Sequence, residues 1–134
     1  QEVTLRAMKY IDCVNGLSGW NRREIDNFRM LCAEGDGVFQ EGICEGDEGG
    51  PLVIKGIGPR TDRIVGIASF FDNNCGNPRF PNVFTRLSGV QSFIYNIVCN
   101  RSKFPSLECI QIEFDDDFFN RTNVTEERSL EYTD

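Results

Sequence analysis

The chain has 134 residues, 40% of them hydrophobic, and a formal net charge of −7. That length suits one domain, and that apolar content excludes a wholly disordered chain. An acidic balance without a basic patch argues against nucleic acid and an anionic membrane surface as partners, and no apolar run approaches the roughly 18 residues of a spanning helix.

Residues 3–10 begin with an alternation that puts Val3, Leu5 and Ala7 on one face, so the stretch reads as a half-buried strand ended by Cys13. Gly16 to Gly19 turn the chain. Asn21 and Glu24 fit a capping box opening a short amphipathic helix, with Ile25, Phe28 and Leu31 at helical spacing. From Cys32 to Cys44 the chain, rich in glycine and acids, reads as a loop. The next stretch, Cys44-Glu45-Gly46-Asp47-Glu48-Gly49-Gly50-Pro51-Leu52-Val53, crowds a cysteine, acids and glycines ahead of a short apolar strand. Glycine suits a backbone that must turn tightly and present its N–H groups inward.

Leu52 to Ile54 and Ile64 to Phe70 read as strands joined by a hairpin connection from Gly56 to Asp62. Phe71 to Pro81 is a loop carrying Cys75, and Asn82 to Thr85 is a further strand. Leu87, Val90, Phe93 or Ile94, and Ile97 or Val98 mark a helix with one apolar face. After about Cys99 the composition changes, so residues 1–98 and an acidic, partly disordered tail of 99–134 are read separately. Asp115 to Asp117 are adjacent and do not converge on one ion without a shaped loop, which makes a solvated run the better reading. No metal or other cofactor is expected.

Six cysteines, at 13, 32, 44, 75, 99 and 109, occur without a C-x-x-C pair in a chain with no histidine. Disulfides formed in an oxidising compartment explain them better than zinc, with the pairing left open by the residues alone. Cys99 and Cys109 are close enough in sequence to close a small loop. Three glycosylation sequons begin at Asn100, Asn120 and Asn123, and together these features predict a secreted, extracellular glycoprotein. No signal peptide is visible and the chain opens on Gln1, which predicts a processed product or a fragment. Histidine is the usual base for activating a hydroxyl near neutral pH, so such a base would have to come from another chain.

The stretch from Cys44 to Pro51 closely resembles the nucleophile loop of chymotrypsin-like serine proteases, C-x-G-D-S-G-G-P, with Glu48 where that family has serine. The resemblance runs over roughly residues 2–98. Met30-Leu31-Cys32-Ala33 resembles its disulfide-bridged segment, Ile64 to Phe70 its substrate-aligning strand, and Pro81-Asn-Val-Phe-Thr-Arg86 its P-G-V-Y-T-R. The resemblance implies an all-β fold: the second, C-terminal antiparallel barrel of a two-barrel protease, with a short intermediate helix and a C-terminal helix. It implies the disulfides Cys13–Cys32 and Cys44–Cys75. The first barrel and the opening strand of the second are missing from the match, so the barrel is expected to be incomplete, with an open edge.

The departures fall on chemistry. A carboxylate is a poor nucleophile toward an amide, so no catalytic residue is expected here. In the family geometry Gly46, Asp47 and Glu48 would be the remnant of the oxyanion hole, and the Glu48 side chain is expected to crowd that hole against the N–H groups of Gly46 and Glu48. Gly42 and Ile43 stand where trypsin-like members place an aspartate and a small residue. Phe71, beside Ser69 and Phe70, stands at an entrance usually kept open by glycine, and Asn82 replaces another glycine in the wall. The specificity pocket is therefore expected to be narrowed or filled. Asp47 matches a buried aspartate that pairs with the amine freed on zymogen cleavage, and no partner for it is apparent.

The resemblance thus implies an inactive serine protease homologue that binds protein, as a regulator or cofactor in a protease cascade. Its expected partners are a protein N-terminal half that completes the fold and a protease or substrate protein. The alternatives are an active serine endopeptidase, which would need a serine this loop lacks, and a binding module centred on the acidic tail.

Overall fold

The computed structural model describes residues 2–35, 42–101 and 129–133. Six strands, β1 (Glu2–Met8), β2 (Met30–Gly35), β3 (Pro51–Ile54), β4 (Arg63–Phe70), β5 (Asn82–Arg86) and β6 (Ser129–Thr133), form a closed barrel in the order β1-β2-β5-β4-β3-β6. Every neighbouring pair is antiparallel. A short helix α1 (Tyr10–Cys13) follows β1. After β5 the chain makes a 3₁₀ turn (Leu87–Val90), helix α2 (Gln91–Tyr95) and a π-helical turn (Asn96–Asn100).

Alternation along the strands sorts side chains between the barrel interior and its outer wall. Leu5, Leu31, Ala33, Ile43, Leu52, Val65, Ala68 and Phe84 make the interior cluster. Leu5, Ile43, Leu52 and Phe84 are fully buried, each contributing roughly 1.5–3 kcal/mol of apolar transfer free energy. Cys32 and Val83, opposite each other across β2 and β5, face the other way and join Cys13, Val14 and Ile25 in a second cluster on the outer wall. The Cys13–Cys32 disulfide, with Cα atoms 6.2 Å apart, ties α1 to β2 there. On β1, Arg6 next to buried Leu5 is exposed and forms an ion pair with Glu34.

The helix expected from Asn21 stops after one turn. Its capping box is present: Asn21 Oδ1 accepts from the Glu24 amide at 3.2 Å, and Glu24 Oε2 accepts from the Asn21 amide at 2.9 Å. Asp26 then starts another turn, its Oδ1 accepting from the Phe28 amide, and Met30 enters β2. Leu31, placed by periodicity on the helix, pairs with Phe84 inside the barrel, whereas Phe28 is 69% exposed. Pairing on both sides, to β1 and β5, outweighs a helix too short to sustain itself. The same strand corrects the loop expected from Cys32, since β2 continues to Gly35.

The remaining strands lie where alternation put them, and the Gly56–Asp62 connection closes the β3–β4 hairpin. Asp62 Oδ1 accepts from the Gly56 amide at 2.9 Å, and a Cβ on Gly56 would meet the Thr61 carbonyl oxygen at 2.6 Å. The terminal helical segment half-buries Leu87, Val90 and Ile94 but leaves Phe93, Ile97 and Val98 exposed. Sequence reading left the barrel one strand short. Residues 129–133, at the far end of the tail, supply a sixth strand between β1 and β3.

Candidate functional site

Two overlapping turns build the loop before β3. The Asp47 amide donates to the Cys44 carbonyl and the Gly50 amide to the Asp47 carbonyl, both at 3.0 Å. Gly46 and Gly49 have φ of +97° and +87°, a region that side-chain-bearing residues rarely adopt. A Cβ at either glycine would meet nothing within 4 Å, so backbone conformation rather than crowding calls for glycine.

Three ties hold the loop in place. The Cys44–Cys75 disulfide, with Cα atoms 5.2 Å apart, joins it to the loop after β4. The Gly49 amide donates to the Ala68 carbonyl at 2.9 Å, and the Ala68 amide donates back to Gly50 at 2.8 Å. Asp47 Oδ2 accepts from the Cys44 amide at 2.9 Å. Sequence reading left Asp47 buried and without a partner; it is half-buried and turned onto the loop's own backbone. A carboxylate with a backbone donor and some access to water avoids the penalty of an isolated buried charge.

Glu48 is exposed on this turn, and its Oε2 accepts from the Gly46 amide at 2.9 Å. The carboxylate thus takes up an N–H group that the loop would otherwise offer to an incoming anion. Chemically the arrangement provides a charged acceptor with its own donor, not a hydroxyl, and the 134 residues contain no histidine to activate one.

Behind the loop, Asn82 at the start of β5 is the single buried polar side chain among the described residues, at 3% exposure. Its Oδ1 accepts from the Ile43 amide at 3.0 Å and its Nδ2 donates to the Ala33 carbonyl at 3.2 Å. The amide therefore spans from the loop entrance to β2 through space that glycine would leave open. It lies so close to Gly42 that a Cβ there would sit 2.7 Å from Asn82 Oδ1. Phe71 packs against the interior cluster that contains Ile43.

Ser69 is exposed at a register shift in β4, where Ala68 opposes Phe84 and Phe70 opposes Val83. Such a bulge turns the neighbouring side chain, and Phe70 packs with the outer cluster. There it meets Trp20 edge-on, with ring centroids 5.3 Å apart, and Trp20 meets Phe80 at 4.9 Å. Trp20 Nε1–H donates to the Pro81 carbonyl at 2.8 Å, fixing the chain just before Asn82. Sequence reading missed this aromatic group, because no local pattern links positions so far apart.

Of the other expected features, both disulfides implied by the resemblance, Cys13–Cys32 and Cys44–Cys75, are formed. Cys99 is disulfide-bonded, while its expected partner Cys109 lies outside the described residues. Asn100 is exposed at the end of the helical segment. Asn120 and Asn123 lie outside the described residues.

The trypsin family model matches residues 1–94. The chain belongs to the trypsin family. It is 34% identical over 76 residues to serine protease 57 of Homo sapiens, covering 57% of this chain and 25% of that one. It is 39% identical over 88 residues to the clotting factor G beta subunit of Tachypleus tridentatus, covering 62% and 26%. With the kallikrein-like enzyme LV-Ka of Lachesis muta muta it shares 34% over 82 residues, covering 60% and 38%. The chain spans about a quarter of the length of most of these relatives. The match takes in the loop from Cys44 to Pro51 and strands β1 to β5.

Proposed function

We propose that this protein is a secreted serine protease homologue without hydrolytic activity, acting by binding protein as a regulator or cofactor in a protease cascade. The observation that carries the reading is Glu48: a carboxylate at the nucleophile position whose oxygen is engaged by the Gly46 amide. Acyl transfer needs an activated hydroxyl or thiol beside free oxyanion donors, and this loop offers neither the hydroxyl nor an unengaged Gly46 N–H. Asn82, which accepts from the Ile43 amide, and Phe71, which packs against the interior cluster, support it as the residues that the resemblance puts at the specificity pocket. The disulfides fit an oxidising, extracellular compartment.

Labelling of the intact protein with a fluorophosphonate probe tests the reading. No covalent adduct is expected, and a stoichiometric adduct would overturn it. The second reading, a serine endopeptidase, is favoured by relatives that carry names such as thrombin-like enzyme cerastocytin and kallikrein-like enzyme LV-Ka. The same experiment decides between the two.

The binding surface belongs with the terminal helical segment, where Phe93 is 68% exposed beside Tyr95, Ile97 and Val98. Four exposed apolar side chains within six residues of one helical segment support an interaction site there. The occupant is the remainder of a longer polypeptide of the relatives' size, of which the match covers about a quarter. Amide hydrogen exchange at residues 91–98 is expected to be slower in such an intact protein than in residues 1–134. Equal exchange would count against this surface.

A further inference from the structure

We propose that the connection from Gly56 to Asp62 is a cleavage site for an arginine-specific serine protease. The cut falls between Arg60 and Thr61 and leaves two chains joined through Cys44–Cys75. The proposal is independent of the reading of Glu48, since here the chain is the substrate.

The tip of the β3–β4 hairpin stands in water. Ile57 is 105% exposed, and Pro59, Arg60 and Thr61 are exposed with it. The hydrogen bonds of the connection close within itself. The Gly56 amide donates to Asp62 Oδ1 at 2.9 Å, the Gly58 amide to Thr61 Oγ1 at 3.1 Å and the Thr61 amide to the Gly58 carbonyl at 2.8 Å. Pairing of β3 with β4 begins beyond these residues, at Ile54↔Arg63, so the connection can open without breaking a ladder.

A protease that receives its substrate as an added strand needs an extended segment. Pro59 fixes its own φ in the extended range and turns Gly58 before it away from helical backbone. Arg60 then offers a planar guanidinium to a carboxylate in the protease's pocket. Ile57, three residues ahead of Arg60, would exchange water for an apolar subsite.

Other basic residues of the barrel are held more firmly. Arg22 and Arg23 are exposed, but they lie inside the Asn21–Glu24 capping box, next to buried Ile25. The Arg79 carbonyl accepts from the Gly19 amide, and the Arg29 carbonyl accepts from the Arg86 amide. Lys55 pairs with Glu2 at 3.6 Å at the end of β3.

Hydrolysis breaks the bond between the Arg60 carbonyl carbon and the Thr61 nitrogen. Water supplies the hydroxyl to the carbon and a proton to the nitrogen, leaving a carboxylate and an ammonium group. Cys44 then belongs to one fragment and Cys75 to the other, so the disulfide holds them together. The β2–β5 and β3–β4 ladders also run between the two fragments. The barrel therefore keeps its strand pairs after the cut.

Brief digestion of the disulfide-bonded protein with a low level of added trypsin tests the proposal, read by mass spectrometry before and after reduction. The first cut within residues 2–101 is expected after Arg60. Before reduction it adds one water to the mass, and after reduction it gives one fragment ending at Arg60 and another beginning at Thr61. Arg60→Gln is expected to abolish this cut, whereas Arg22→Gln should leave its rate unchanged. A first cut elsewhere within 2–101, or a rate that rises with urea in step with global unfolding, overturns the site. In the cut protein the amides of 64–67 are expected to stay protected from exchange. Their loss of protection, or separation of the fragments without reduction, overturns the two-chain form.

Discussion

The Gly46 amide donates to the Glu48 carboxylate at 2.9 Å, two residues along the same turn. The donor is available because Gly46 holds φ at +97°, a conformation that turns successive N–H groups toward one side of the loop. The turn therefore meets this N–H group with an acceptor of its own.

Placing a hydroxyl at position 48 should not make this chain reactive toward a serine-directed probe. In Glu48→Ser the oxygen would lack an imidazole, since the 134 residues contain no histidine. We expect neither wild type nor variant to react with a fluorophosphonate above the level of a denatured control, read by in-gel fluorescence. Labelling of the variant would show that another group serves as base.

Asn82 links the two halves of the site to the barrel. Asn82→Ala leaves the Ile43 amide without its acceptor in the interior and removes a donor to Ala33. We expect a loss of about 1–3 kcal/mol, measured by urea unfolding. An unchanged midpoint would mean that water replaces the side chain.

The disulfide between Cys13 and Cys32 closes a loop with a sequence separation of 19. In the chain-entropy model Cys13→Ala with Cys32→Ala lowers stability by about 3 kcal/mol. The variant's thermal midpoint should fall accordingly, and a shift within error would place the cross-link's effect in the folding rate alone.

Gly89 touches backbone, not a side chain that could move. A Cβ there would run into the Phe28 carbonyl oxygen and lie 3.0 Å from the Arg29 Cα. Gly89→Ala must push the 26–29 turn away from β5, where the Arg86 amide donates to the Arg29 carbonyl at 2.7 Å. We expect a cost of about 1–3 kcal/mol and faster exchange at the Arg86 amide. Retained protection at Arg86 would show that the turn yields elsewhere.

Where pattern and structure agree, the cause is local. The alternation at Val3, Leu5 and Ala7 needs only a face to bury, and the turn from Gly56 to Asp62 closes through bonds within itself. Where they part, a distant partner decides. Asn21 and Glu24 carry a valid helix start and form its hydrogen bonds, yet Leu31 goes into a strand because β1 and β5 are both there to pair with it. The site divides in the same way. Glu48 and its turn were legible from the residue order, whereas Asp47's turn onto Cys44 and the Trp20–Phe70–Phe80 packing were not.

By itself the order of residues determined the loop from Cys44 to Pro51, the acid at its centre and the family to which the whole belongs, because turn chemistry and side-chain identity act over a few positions. Only the tertiary structure decided that Asn82 reaches across to Ile43 and Ala33, and that residues 129–133 stand between β1 and β3. Backbone pairing in a barrel depends on which edges meet in space, and a five-residue strand at the end of a long connection carries no local signal of the edge it will join.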